Sequence, residues 1–354
     1  MLVFVLYIVV CLMSWYSKSK DEICRKTRML RVSCILLFVI MGFRDYSVGN
    51  DTYRYYLKYM QYQLLSWKSI GLLDLNYGFN YFTKIMGTFF PSGYTLYLLV
   101  ISAFCSFAVY KYLNAMSEDA LVSQIMLLSL GFVFFFITGL KQSIAISFIL
   151  LAYIKLKDKK YFGFLMMSAF ATLFHTTAIV VILALPISLM KLKKSYLVVA
   201  PLLIGLAYTF RSQVFNFMRT IAADSSDRYL AYGSTYTSSV NITGFLIQAV
   251  VFSFSLFLLQ GHFEEDNELS SEFGIYVLGM MFQAMTGIMA EFFRLSMYFS
   301  VFGVILLPKA LNRGFSKNTI SIAKFLVLSV FVLYFIFFSS QNSYIIPYKF
   351  VSFF

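Results

Sequence analysis

The sequence predicts an all-α, polytopic transmembrane protein of about twelve spans. Three observations carry that expectation. Residues are 60% hydrophobic and 13% charged, where an average soluble protein carries roughly 25% charged residues. Mean hydropathy is +0.77 over 354 residues, which leaves no long polar block for a soluble domain. Apolar runs recur along the chain, separated by short segments rich in lysine and arginine, as membrane topology determinants are. A water-soluble enzyme built on a nucleotide-binding domain is excluded on these grounds.

Taken in order, the candidate spans are 1–16, 29–43, 94–112, 120–137, 139–154, 161–174, 176–190, 196–210, 242–260, 273–290, 295–311 and 319–338. The first lacks a basic n-region and a small-residue cleavage site, so it reads as a retained span and not a signal peptide. With no repeat, low-complexity tract or linker, residues 1–354 read as a single integral membrane domain. Residues 77–90, with Phe79, Phe82, Ile85, Met86 and Phe89 at helical spacing, read as an amphipathic surface helix.

Orientation follows from the basic residues, because positively charged loops stay on the cytoplasmic side. Lys18, Lys20, Arg25, Lys26 and Arg28 follow the first span, and Lys155, Lys157, Lys159 and Lys160 follow the fifth. Lys191, Lys193 and Lys194 follow the seventh, and Lys309, Arg313 and Lys317 follow the eleventh. The amino terminus then starts outside, and loops of about 44–93 and 211–241 face outward. Basic clusters flank both ends of the apolar run 161–190, so the run must turn back near His175. The acidic segment 262–272 fits this pattern poorly.

The net charge of +13 is explained by this membrane pattern, and no nucleic-acid module accompanies it. Cys11, Cys24, Cys34 and Cys105 form no CxxC pair, so neither a metal nor redox chemistry is expected. No phosphate loop, HExxH or GxSxG is present, and Asp224 with Asp227 has DxxD rather than DxD spacing. No cofactor is expected.

Polar groups near span ends are the candidate functional residues, since they are costly at membrane depth. The richest segment runs from Arg44 and Asp45 through Gly49, Asn50, Asp51 and Thr52 to Arg54, beside Tyr46, Tyr53, Tyr55 and Tyr56. A guanidinium at Arg44 or Arg54 suits phosphate, and Asp51 can accept a proton from an attacking hydroxyl. Asp51 and Arg54 are equally placed to pair on a helix surface. Lys141 with Gln142, His175, and Glu291 with Arg294 are expected at the same face. Their alternatives are a snorkelling lysine, a hydrogen-bonded histidine and an i,i+3 pair. The 211–241 loop adds Arg219, Asp224, Asp227, Arg228, Tyr229, Tyr232 and Tyr236, a mixture suited to sugar hydroxyls, phosphate and ring stacking.

At Arg44, Gly49-Asn50-Asp51-Thr52 and Tyr55 or Tyr56, directly after the second span, the chain resembles the EpsG family of exopolysaccharide and Wzy-like O-antigen polymerases. Further matching positions are Gln142 with Ala145, Phe174-His175, Arg294 with Tyr298-Phe299, and Ile346-Pro347-Tyr348, in the family order. Lys141 departs from the family's arginine and offers a point charge instead of a planar fork.

The resemblance implies a glycosyltransferase of GT-C-like architecture in the bacterial inner membrane. It would join undecaprenyl-diphosphate-linked oligosaccharide repeat units at the outer face, with membrane lipids and a chain-length regulator as partners. Under that implication Arg44 and Arg294 stabilise the departing diphosphate, with Arg54 and Lys141 as secondary cations. Asp51 is the first candidate base, with His175 and Glu291 as rivals. Gln142, Arg228, Tyr298 and Tyr348 complete the expected substrate contacts. A lipid-linked oligosaccharide flippase and an O-antigen ligase are the competing readings.

Overall fold

The computed structural model describes residues 1–17, 21–191, 195–223, 243–286, 290–341 and 344–352, the side chains of 218–223 and 290–291 excepted. Among the described residues every regular element is helical, and one isolated antiparallel bridge joins Arg44 to Phe350. The chain runs through α1 (Leu2–Tyr16), α2 (Glu22–Gly42), α3 (Thr52–Leu64), α4 (Trp67–Ile70), α5 (Tyr77–Phe89), α6 (Tyr94–Met116), α7 (Ala120–Ser129), α8 (Phe132–Thr138), α9 (Leu140–Lys157) and α10 (Tyr161–Phe174). A 3₁₀ helix (Thr176–Leu183) precedes α11 (Ala184–Ser188), α12 (Tyr196–Thr209), α13 (Arg211–Ala223), α14 (Thr243–Leu259), α15 (Asn267–Ala284), α16 (Ala290–Ser300), α17 (Gly303–Gly314) and α18 (Ile320–Phe337). This all-helical chain with several apolar helices fits a helical membrane protein. Two helices, Tyr94–Met116 and Ile320–Gln341, are long and apolar enough to cross a bilayer, and three bent pairs would bring the number to five.

Contacts divide the chain into two compact units, Met1–Ile182 with Phe315–Phe354, and Leu183–Gly314. In the first, α6 is central: α2 and α9 pack on it, α10 packs on α9, and α18 packs on α7. The stripe Tyr97, Ile101, Cys105, Ala108 and Tyr112 recurs every three or four residues, so one face of α6 is buried along its length. The run 120–137 is not one straight helix. Gly131, at φ +84°, takes a left-handed conformation that side chains disfavour, and α7 and α8 meet there at 53°.

Polar contacts gather at two ends of this unit. At one end, Lys26 Nζ donates to the carbonyls of Asn114 (2.9 Å) and Ser117 (2.7 Å), and Lys157 Nζ to that of Ala115 (3.1 Å). Arg28 Nη2 donates to Ser17 O (2.8 Å), and Lys324 pairs with Asp119 at 2.8 Å. The basic residues thus complete the last carbonyls of α1 and α6, where the helix dipole favours positive charge. At 1.5 Å per residue, α2 and α6 place the other end about 30–35 Å away. That other end carries Arg44, the 52–93 helices, Lys141 and His175.

The 44–93 segment, expected as an outer loop, holds three helices. Among them, α5 is the helix expected over 77–90, and its expected apolar stripe divides: Phe79 and Met86 are buried, while Ile85 and Phe89, with Tyr77 and Tyr81, are exposed. The apolar run 161–190 breaks at His175, whose φ of −149° and ψ of 112° end α10.

In the second unit, α11, α12 and α16 pack on α15, and α14 packs on α17. Gly279 meets the backbone of Ser300, where an added Cβ would come within 2.6 Å, so α15 and α16 approach closely. The acidic segment that fitted the charge pattern poorly has a partner here. Lys309 Nζ lies 2.7 Å from Glu272 and 3.3 Å from Glu268, and Arg313 lies 2.9 Å from Asp266. Acidic and basic residues at the ends of these helices neutralise one another.

Candidate active site

Three polar features gather at the Arg44 end of the first unit. The first begins where α2 stops at Phe43 and the chain turns: Ser47 N donates to Asp45 Oδ1 (2.9 Å), and Val48 N to Asp45 O (3.0 Å). Gly49 then adopts φ +105°, where a Cβ would stand 2.5 Å from Thr52 Oγ1 and 3.3 Å from Ile137 O. Only glycine accommodates both the conformation and the contact. The carboxy-terminal segment lies along this turn. Asp45 N donates to Lys349 O (3.0 Å), Gly49 N to Tyr344 O (2.7 Å) and Val351 N to Phe43 O (2.8 Å), and the Tyr348 hydroxyl donates to Ile40 O. Ile346-Pro347 is cis.

Beneath this cover Arg44 is 2% exposed. Its Nη1 donates to the carbonyl of Met41, while its Nε and Nη2 are buried with no hydrogen-bond partner among the described residues. Tyr94, Tyr348, Cys105 and Tyr97 lie within electrostatic reach. A buried guanidinium without a counter-charge is costly and has strong affinity for an anion that can reach it.

The second feature is the start of α3. Asp51 caps no backbone amide, and its Oδ1 lies 3.9 Å from Arg54 Nη1, with side-chain exposures of 28% and 82%. Thr52 is buried, and its carbonyl accepts from the Tyr94 hydroxyl at 3.1 Å. Tyr56 stacks with Tyr46 and Tyr53 at centroid distances of 5.0 and 6.3 Å, and Tyr46 and Tyr53, both exposed, meet at a tilt of 40°.

The third feature centres on Asp74, which sequence reasoning missed. Its Oδ1 accepts from Asn76 N (2.9 Å), Asn76 Nδ2 (3.0 Å) and Asn80 Nδ2 (2.9 Å), and its Oδ2 from Lys141 Nζ (2.9 Å). Burial alone would raise the Asp74 pKa. The hydrogen bond and charge of Lys141, with the asparagine donors, outweigh it and hold the carboxyl well below the usual carboxylate range. Burial and the Asp74 charge together push Tyr62 up to about 12. Lys141 also stands 5.3 Å above the Phe79 ring. Asn76 Oδ1 in turn accepts from Thr176 N (3.1 Å), the residue after His175. One visible signal was available: Asp74 and Asn76 directly precede an apolar helical pattern, as capping residues do.

The same end of the first unit holds these residues in three groups: Tyr348 near Arg44, Asp51 beside Arg54, and Lys141 with the residue after His175 on the Asp74 segment. Gln142 follows Lys141 on α9 and is buried. Arg294 and Tyr298 belong to α16 in the second unit, the former exposed and the latter buried. Arg228 and the Glu291 side chain lie outside the described residues, as do Asp224, Asp227, Tyr229, Tyr232, Tyr236 and the Arg219 side chain. Among the described residues no group of three or more His, Cys, Asp or Glu side chains could hold a metal ion.

Comparison with curated proteins and with solved structures returns no match. A family profile matches residues 27–350, from the basic stretch of α2 to the segment that covers Arg44, and it is that of the EpsG family; the chain belongs to the EpsG family.

Proposed function

We propose that this protein polymerises a polysaccharide by joining oligosaccharide repeat units carried on undecaprenyl diphosphate at the outer face of the bacterial inner membrane. EpsG membership supports a polymerase-like role in polysaccharide biosynthesis. The carrying observation is Arg44, a buried guanidinium with two nitrogens free of hydrogen bonds among the described residues. It lies at the end of the first unit away from the basic residues that the charge rule assigns to the cytoplasm.

In this reading the acceptor sugar hydroxyl attacks the anomeric carbon of the growing glycan. The new glycosidic C–O bond forms as the anomeric C–O bond to the diphosphate breaks. The bonding electrons leave on the diphosphate, whose added negative charge Arg44 stabilises by charge-assisted hydrogen bonds. The acceptor proton passes to a carboxylate or imidazole. Asp51 is the first candidate, held only loosely by Arg54, and His175 and Glu291 are the others. Arg294, on α16, is a further candidate cation for the leaving group. Because diphosphate departure drives the reaction, no nucleotide is consumed.

The test is genetic. A gene deletion is complemented with wild type, Asp51→Asn or Arg294→Ala, and surface glycan is resolved by length on a gel. Wild type is expected to restore the ladder, and each variant to display single repeat units while remaining abundant and membrane-inserted. A full ladder from either variant removes that residue from the site. Absence of any surface unit in the deletion strain supports a transporter instead.

A further inference from the structure

We infer that Asp74 is a positioning residue of the proposed transfer site, clamping Lys141 and the His175 break into one unit through the segment 74–80. The inference rests on the polymerase reading above and adds to it a residue that the motifs of the chain do not mark.

The geometry separates holding from proton transfer. All four donors on Asp74 come from three residues, one of them 67 positions away in sequence. A carboxylate accepting so many hydrogen bonds is strongly stabilised as the anion, so it is a poor base near neutrality. What it does well is fix its donors. Lys141 would otherwise be a flexible ammonium on a four-carbon stem. Here Asp74 Oδ2 on one side and the Phe79 ring on another locate its Nζ.

The clamp reaches His175 by a second route. Asn76, held at both its N–H and its side-chain amide by Asp74, uses its own Oδ1 to accept from Thr176 N. Close packing supports the same docking independently of charge. A Cβ at Gly78 would come within 3.1 Å of the carbonyl carbon, the carbonyl oxygen and the Cβ of Leu173, two residues before His175. The start of α5 therefore sits directly against the end of α10, so that a methyl group at Gly78 would push the two apart by a few tenths of an ångström. Asp74 and its neighbours thus set where the Lys141 cation and the chain break at His175 stand relative to each other.

The experiment uses the full-length protein in liposomes, elongating purified undecaprenyl-diphosphate-linked repeat units, with kcat and KM measured separately. Asp74→Asn and Asn76→Ala are expected to lower kcat roughly tenfold to a hundredfold, with KM moving by less than about threefold, because misplacement acts on the transition state. Gly78→Ala, which alters no charge, is expected to lower kcat in the same direction. Melting temperature and monodispersity in detergent identify any variant that fails to fold, and Asn76→Ala, which leaves the Asp74–Lys141 pair intact, then decides. Wild-type kcat in folded Asp74→Asn or Asn76→Ala overturns the clamp while leaving the polymerase reading intact. A uniform rise in KM with unchanged kcat also overturns it. No elongation by wild type contradicts the polymerase reading itself.

Discussion

Arg44 carries three guanidinium nitrogens into a buried place, and only one has a hydrogen-bond partner there among the described residues. If geometry matters as well as charge, Arg44→Lys is expected to shorten the glycan ladder strongly, and Arg44→Ala to abolish it. A normal ladder from Arg44→Lys would reduce the residue to a simple positive charge. Two glycines give a cleaner contrast in stability. Gly131→Ala places a methyl group where no atom lies within 4 Å, so only its backbone conformation is penalised, by about 1 kcal/mol. Gly49→Ala adds a collision with Thr52 and Ile137 O to a φ of +105°, further still from the left-handed well, and about 2–3 kcal/mol is expected. Thermal melting in detergent ranks the two, and equal losses would refute the contact argument. Asp74 yields a pH expectation. Its folded pKa is depressed, so its stabilisation is complete above the unfolded value of about 3.9 and is lost as pH falls through the lower folded value. The melting difference between wild type and Asp74→Asn should stay constant from about pH 8 to 5 and shrink only below about 4. Arg44, Gly49 and Tyr348 were legible in sequence because short motifs mark them. Asp74 was not, because it stands among turn residues and its cation is far away in the chain.

Elements were more legible than contacts. The ends of α1, α12, α14 and α18 fall within a residue or two of the apolar runs, because hydropathy alone marks them. The breaks were harder. An apolar window cannot register that Gly131 bends one run by turning left-handed. His175, by contrast, was legible as a break from the basic residues on both sides. Within 44–93, α5 was legible from its apolar spacing and α3 from the turn at Gly49 that lets a helix begin at Thr52, whereas the single turn of α4 leaves no periodic trace. A surface position for α4 and α5 is testable with Trp67, one of two tryptophans. In a Trp15→Phe background, lipids brominated near the headgroup should quench Trp67 fluorescence more than those brominated near the chain end. Equal or absent quenching would lift these helices off the membrane surface. In the second unit, Lys309 is 5% exposed and Glu272 3% exposed, so Glu272→Gln leaves a buried cation with only the more exposed Glu268. A loss of about 3 kcal/mol is expected, read from melting, with partial recovery in Glu272→Leu/Lys309→Met.

At the scale of the whole molecule, charge separates the two ends of the first unit. One end is finished by lysines and arginines on helix carbonyls, the other by Arg44, Asp51, Asp74, Lys141 and His175. That division was readable from lysine and arginine counts, while the closing of the carboxy-terminal segment over Arg44 was not, since backbone pairing between residues 300 positions apart leaves no periodic trace. The separation is what the proposed reaction needs: a lipid diphosphate and a glycan acceptor meet at one face without access to cytosolic nucleotides. The most direct measurement is therefore made with the purified protein in liposomes supplied only with undecaprenyl-diphosphate-linked repeat units and no nucleotide sugar. The expected result is a ladder of lengthening glycan with one undecaprenyl diphosphate released per unit joined. Transfer of intact single units across the bilayer, with no new glycosidic bond and no released lipid diphosphate, would contradict it.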